Sequence, residues 1–191
     1  KDFTLRSYQN GLGVDSAIVL SGGGRTLLNC NDCKFFGLPL KQITNQFPKI
    51  DFVLRSHSSA SPVPYCIEGY ETTFSHLRQP QDYIEEFARF ALFIGARYAI
   101  PFASNACFLH SETFRFNQTA VSPEDILPRY RQLAVEINCE SECVVMTPGS
   151  CWSDTDGFQI ISFDYLKKDE YLQGLLALHD DKLAKQYTKE E

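Results

Sequence analysis

The stretch Gln81–Pro101, QDYIEEFARFALFIGARYAIP, decides the fold class. Ile84, Phe87, Ala91 and Ile94 recur at spacings of three, four and three, which puts them on one face of a helix. Pro80 precedes this run and Gly95 ends it, and Arg97-Tyr98-Ala99-Ile100-Pro101 then reads as a strand. The same order occurs upstream. Leu40 to Phe47 is a short helix stopped by Pro48, and Ile50-Asp51-Phe52-Val53-Leu54 is a buried-strand run. Two helix-then-strand units predict a layered α/β architecture.

Working outward, Phe3 to Tyr8, Ala17 to Leu20 and Thr26 to Leu28 are β-rich, and Ser21-Gly22-Gly23-Gly24 supplies a hairpin turn between the last two. Ser122-Pro123-Glu124-Asp125 predicts an N-cap, with a helix to about Ile137 in which Pro128 should cause a kink or break. Cys143 to Met146 and Phe158 to Phe163 are strand-like. A terminal amphipathic helix is expected from about Lys168 to Tyr187, using Leu172, Leu175, Leu176, Leu178 and Leu183. Residues 1–191 read as one domain, with 166–191 its terminal helix.

Fifteen Phe, nine Tyr and 43% apolar residues are enough for a packed core, which excludes a disordered chain. The net charge is −6 and the basic residues are scattered, which argues against nucleic acid as a partner. No apolar run reaches eighteen residues and the start is not an export signal, so the expectation is a soluble cytoplasmic protein that makes no membrane contact. Seven cysteines, an odd count in a chain of this size, favour reduced thiols. Met146 is the only methionine, so Lys1 is read as a processing or cloning boundary with polypeptide missing upstream.

Three places are candidates for chemistry. The apolar run Leu27-Leu28 passes into Asn29-Cys30-Asn31-Asp32-Cys33, placing the Asp32 carboxylate at a strand's C-terminal end, where a metal can receive an oxygen ligand or the side chain can bond its own turn. Ile100-Pro101-Phe102-Ala103-Ser104-Asn105 leads through Ala106-Cys107-Phe108-Leu109 to His110, an imidazole that needs converging partners to act as a ligand and is otherwise hydrogen-bonded. The loop Arg55-Ser56-His57-Ser58-Ser59-Ala60-Ser61 suits a substrate rim or proton transfer through His57, or a polar surface loop. Cys30-x-x-Cys33 leaves a thiol-redox role open, which would require a low-pKa thiolate at one of the pair.

Taken in order, these segments resemble the metallo-β-lactamase superfamily, in its sugar-lactonase-like branch and the related domain of the CMP-N-acetylneuraminate hydroxylases. The likeness rests on Asp15 to Leu20 with Leu28 to Cys33, on Ser56 to Pro64, on Ala99 to Ala103 with His110, and on Thr147-Pro148-Gly149. The resemblance implies an αββα sandwich, incomplete at its N-terminus, with a metal-bridging aspartate at Asp32, a late histidine ligand at His110, and His57 lining the pocket. The family's His-x-His-x-Asp-His cluster is absent from all 191 residues. It would lie upstream or on a separate polypeptide, or the fold would have lost it and serve for binding.

The expectation that follows is a metal-dependent hydrolase. Zinc, or else iron or manganese, would be held by Asp32 and His110 and would generate a hydroxide nucleophile. His57 would act catalytically, and Arg55, Ser56, Ser59 and Asn105 would contact a polar or carboxylated small-molecule substrate. Two alternatives are a non-catalytic binding or assembly subunit and an iron-dependent oxygenase on the same fold. The expected partners are the missing N-terminal half, the substrate and a second copy of the chain in a homo-oligomer.

Overall fold

The computed structural model describes residues 2–9, 15–63, 65–69, 78–104 and 106–183. Six strands form one mixed sheet in sequence order: β1 (Phe3–Gln9), β2 (Ser16–Gly22), β3 (Arg25–Asn31), β4 (Phe52–Arg55), β5 (Tyr98–Pro101) and β6 (Glu142–Cys143). The first three are antiparallel neighbours, and β3 through β6 run parallel. Parallel neighbours need long crossovers, and these carry α1 (Gly37–Gln46), α2 (Pro80–Ile94) and α3 (Ile126–Glu136). A separate two-stranded ribbon, β7 (Cys151–Ser153) with β8 (Gly157–Gln159), precedes α4 (Lys168–Leu183).

Alternation along the strands sorts the sheet into two faces. Val19, Leu28, Val53, Ala99 and Cys143 are cross-strand partners, all buried. They form the core with Leu40 and Ile43 of α1, Phe87 and Ala91 of α2, and Ile126, Tyr130 and Leu133 of α3. The opposite row is Leu5, Leu20, Leu27, Phe52 and Tyr98. Its Phe52–Tyr98 end is covered by the ribbon, with Trp152 edge-on to Phe52 at 4.7 Å and Phe158 edge-on to Tyr98 at 4.8 Å between ring centroids. Arg25 ties the two layers together, donating to Asp51 on one side and to Asp154 of the ribbon on the other.

Local signals placed most elements. Gly23 and Gly24, at φ 61° and 79°, make the two-residue β2–β3 turn, and Gly95, at φ 67°, closes α2 in the left-handed region. Gln79 caps α2 in a box with Asp82, and Pro80 takes the first turn, where its missing N–H has no helical acceptor. Pro128 does not kink its helix. The Ser122 box with Asp125 closes a short 3-10 turn, Pro123–Asp125, so α3 proper begins at Ile126 and Pro128 falls in its first turn. The strand expected from Cys143 to Met146 shortens to Glu142–Cys143, and that expected from Phe158 to Phe163 to Gly157–Gln159. In α4, Leu172 is buried but Leu178 is 73% exposed, so the helix lacks the continuous apolar stripe expected of it.

The layered α/β expectation agrees with this architecture. The αββα sandwich does not appear in full: among the described residues, the layer opposite the helices is limited to the β7–β8 ribbon.

Candidate functional site

Strand β4 ends on Arg55, beside the end of β3, and the chain leaves both strands into polar turns on the same edge of the sheet. The pairing slips between Asn29 and Asn31, and Asn31 takes φ 44°. Its N–H bonds its neighbour's side chain, Asn29 Oδ1, at 3.0 Å, and its carbonyl accepts the Ser56 N–H at 3.0 Å. This irregularity turns Asp32 toward the crevice beyond the strand ends, where open α/β sheets take up ligands. A cavity of about 340 Å³ lies there. Asp32 and Lys34 line one side, Arg55 and Ser56 the strand end, and Ser58, Ser59 and Ser61 the loop. Arg78, Tyr83 and Glu86 come from the start of α2 and the residues before it.

Arg55 is the organising group. It is 5% exposed, its Nη2 donates to Glu86, and its guanidinium carbon sits over the Phe90 ring, 3.9 Å from the centroid. Arg78 pairs with the second oxygen of Glu86. Burial lowers the Arg55 pKa from its ordinary value and Glu86 raises it again. A guanidinium starts so far above neutrality that it remains a cation. The pocket therefore holds three cationic side chains, Lys34, Arg55 and Arg78, against two carboxylates, Asp32 and Glu86, surrounded by serine hydroxyls.

His57 points elsewhere. It is 2% exposed and does not line this cavity, although Ser56 and Ser58 do. Its N–H bonds Ser104 Oγ at 2.9 Å, and Ser58 Oγ accepts the Val121 N–H at 2.9 Å, fixing the loop against two other segments. Neither ring nitrogen makes a well-aligned hydrogen bond. Burial pushes the imidazole down to about 4, with the Phe102 backbone and Asp125 opposing part of the effect, so the ring is neutral near pH 7.

Of the sequence candidates, Asp32, Arg55, Ser56 and Ser59 come together at the pocket. His110 does not join them: it sits on an exposed turn where Nδ1 accepts the Glu112 N–H at 3.3 Å. Asn105 lies outside the described residues. Lys34, Arg78, Tyr83 and Glu86 were not singled out in the sequence. A signal for two of the four existed, because Tyr83 and Glu86 fall with Phe90 at helical spacing on one row of α2 beside the apolar stripe.

The thiol-redox reading is corrected by burial. Cys30 is fully buried and its thiol is pushed up to about 12, chiefly by desolvation, the opposite of a reactive thiolate. None of the seven cysteines is in a disulfide. Native alkylation with iodoacetamide, followed by peptide mapping, should modify exposed Cys66, Cys107 and Cys151 first, and reach Cys30, Cys33 and Cys143 only on unfolding. Early labelling of Cys30 would contradict this burial.

No family model matches the chain. Two curated proteins do, from two strains of Mycobacterium tuberculosis, each provisionally named a Rieske 2Fe-2S iron-sulfur protein. Each is 25% identical over 150 residues, which is 76% of this chain and 29% of the relative. The chain thus spans less than a third of the length of the curated relatives it matches.

These findings overturn the metallo-β-lactamase resemblance and the zinc hydrolase drawn from it: no family model supports either, and the matched relatives are named for an iron–sulfur cluster. The donor set agrees with that correction, since no group of three or more His, Cys, Asp or Glu able to hold a metal gathers among the described residues. A Rieske cluster needs two cysteine thiolates on one iron and two histidines on the other. The described residues do not fit it either: Cys30 is a buried, protonated thiol, His57 is a buried imidazole, and His110 stands on an exposed turn.

Proposed function

We propose that this chain serves electron transfer as the part of an iron–sulfur protein that holds an acidic small molecule, the cluster being carried by polypeptide outside these residues. The observation that supports it most is Arg55, a buried guanidinium at the edge of a hydroxyl-rich pocket beyond the parallel strand ends. Its fork geometry suits a carboxylate or phosphate, and Lys34 and Arg78 add positive charge at the same opening. A negatively charged guest would compete with Glu86 for both arginines, so binding would loosen an existing ion pair rather than fill an unpaired site.

The relatives' name suggests the redox context, and the chain's own residues supply binding, orientation and shielding of the guest from water. Seven cysteines outside any disulfide fit a reducing compartment. Among the described residues no helix is long and apolar enough to cross a membrane.

Calorimetric titration of the chain with citrate and with inorganic phosphate tests the pocket. Binding should weaken about tenfold in Lys34→Gln, a change at an exposed position that leaves the core intact, and should fade with added salt. Affinity unchanged by Lys34→Gln and by Arg55→Met would remove the pocket from the account.

A further inference from the structure

Strands β2 to β4 are apolar on both faces. A sheet with one face in water alternates apolar and polar residues, whereas a sheet buried on both sides does not. Here Ala17, Val19, Leu28, Cys30 and Val53 fill the helix-side core, while their neighbours Ile18, Leu20, Leu27 and Leu54 point the other way and are only half-buried. Toward the β1 edge the same face opens further, with Leu5 57% and Phe3 72% exposed. A shallow groove of about 560 Å³ runs along it, between Phe3, Leu20, Leu27 and Phe52.

We infer that this face is buried in the complete protein beneath a second β-layer supplied by polypeptide outside these residues. Two observations identify the occupant. The covered end of the same face is already occupied by β-structure, because the β7–β8 ribbon seats Trp152 and Phe158 on Phe52 and Tyr98, in one row with Leu27, Leu20 and Leu5. Strands laid beside that ribbon would continue it across the groove, at the roughly 10 Å spacing of packed sheets. The matched relatives also have 71% of their length beyond the matched stretch, enough polypeptide for such a layer. This inference is independent of what the strand-end pocket binds.

Carbene footprinting of the native protein, beside the 191-residue chain alone, tests it. Leu5, Leu20 and Leu27 should be modified in the chain alone at every concentration and should lose modification in the native protein. A photo-crosslinking residue at position 5 should then capture a peptide from outside these residues. Equal modification in both samples would overturn the inference. So would protection of the isolated chain that grows with its concentration, or a crosslink to a second copy, since either makes another copy of this chain the occupant.

Discussion

Arg55→Met is expected to lower the unfolding free energy by about 3 kcal/mol, near the lower end of the range for breaking a buried ion pair. Two contacts are lost and one unfavourable exposure is added. The guanidinium leaves the Phe90 ring, the Glu86 carboxylate loses one of its two arginines, and the strand end gains an apolar group facing a polar cavity. Arg78 remains with Glu86, which keeps the cost from reaching the upper end of that range. Arg55→Lys should recover only part of the loss, because a lysine has neither a planar guanidinium to set over Phe90 nor a fork to present to Glu86. Urea denaturation of Arg55→Met, Glu86→Leu and the double variant reads the coupling directly, and the double variant should be more stable than the sum of the single changes allows. Strict additivity would mean that the pair is not formed in solution.

His57 should make stability depend on pH between about 4 and its ordinary value of 6.5. In that window the unfolded chain binds a proton that the folded chain excludes, so unfolding becomes harder as pH rises through it. The contribution is about 3 kcal/mol, fully present above pH 6.5 and lost as pH falls to 4. Glu85, held low near 2 by Arg129 and Arg89, also loses its stabilising charge in acid, but at lower pH and at the surface. The comparison that isolates the imidazole is therefore wild type against His57→Leu, each denatured in urea at pH 7 and at pH 4.5. Wild type should lose more stability than the variant over that interval. Equal losses would place the ring in water rather than in the core.

The fold was legible where the signal is local. The three-four-three spacing of Ile84, Phe87, Ala91 and Ile94 marks α2, and a glycine ends it in the conformation that glycine tolerates best. The β2–β3 hairpin was equally plain from its glycines. Legibility failed where a neighbour distant in sequence decides the outcome. Asp32, Arg55, Ser56 and Ser59 could be named because they lie at a strand's last residue or in the loop that follows it, but Glu86, some thirty residues from Arg55, is its partner only through the packing of α2 on the sheet. The serines around His57 suggest a substrate rim or a polar surface loop, yet the Ser104 and Val121 contacts draw the loop inward and bury the ring away from the pocket. Pro128 was misread as an interior helix position because a short 3-10 turn displaces the start of the regular helix. The family reading failed for a related reason: short motifs at strand ends recur wherever a sheet edge carries a ligand crevice, and they do not by themselves identify a metal site.

The central claim is that these residues serve an iron–sulfur protein without ligating its cluster. Iron and acid-labile sulfide should be quantified in the isolated chain after anaerobic reconstitution, and in the native protein that contains it. The account predicts no stoichiometric iron or sulfide in the isolated chain and about two of each per native molecule. A stoichiometric cluster on the isolated chain, or a native protein free of iron, would contradict it.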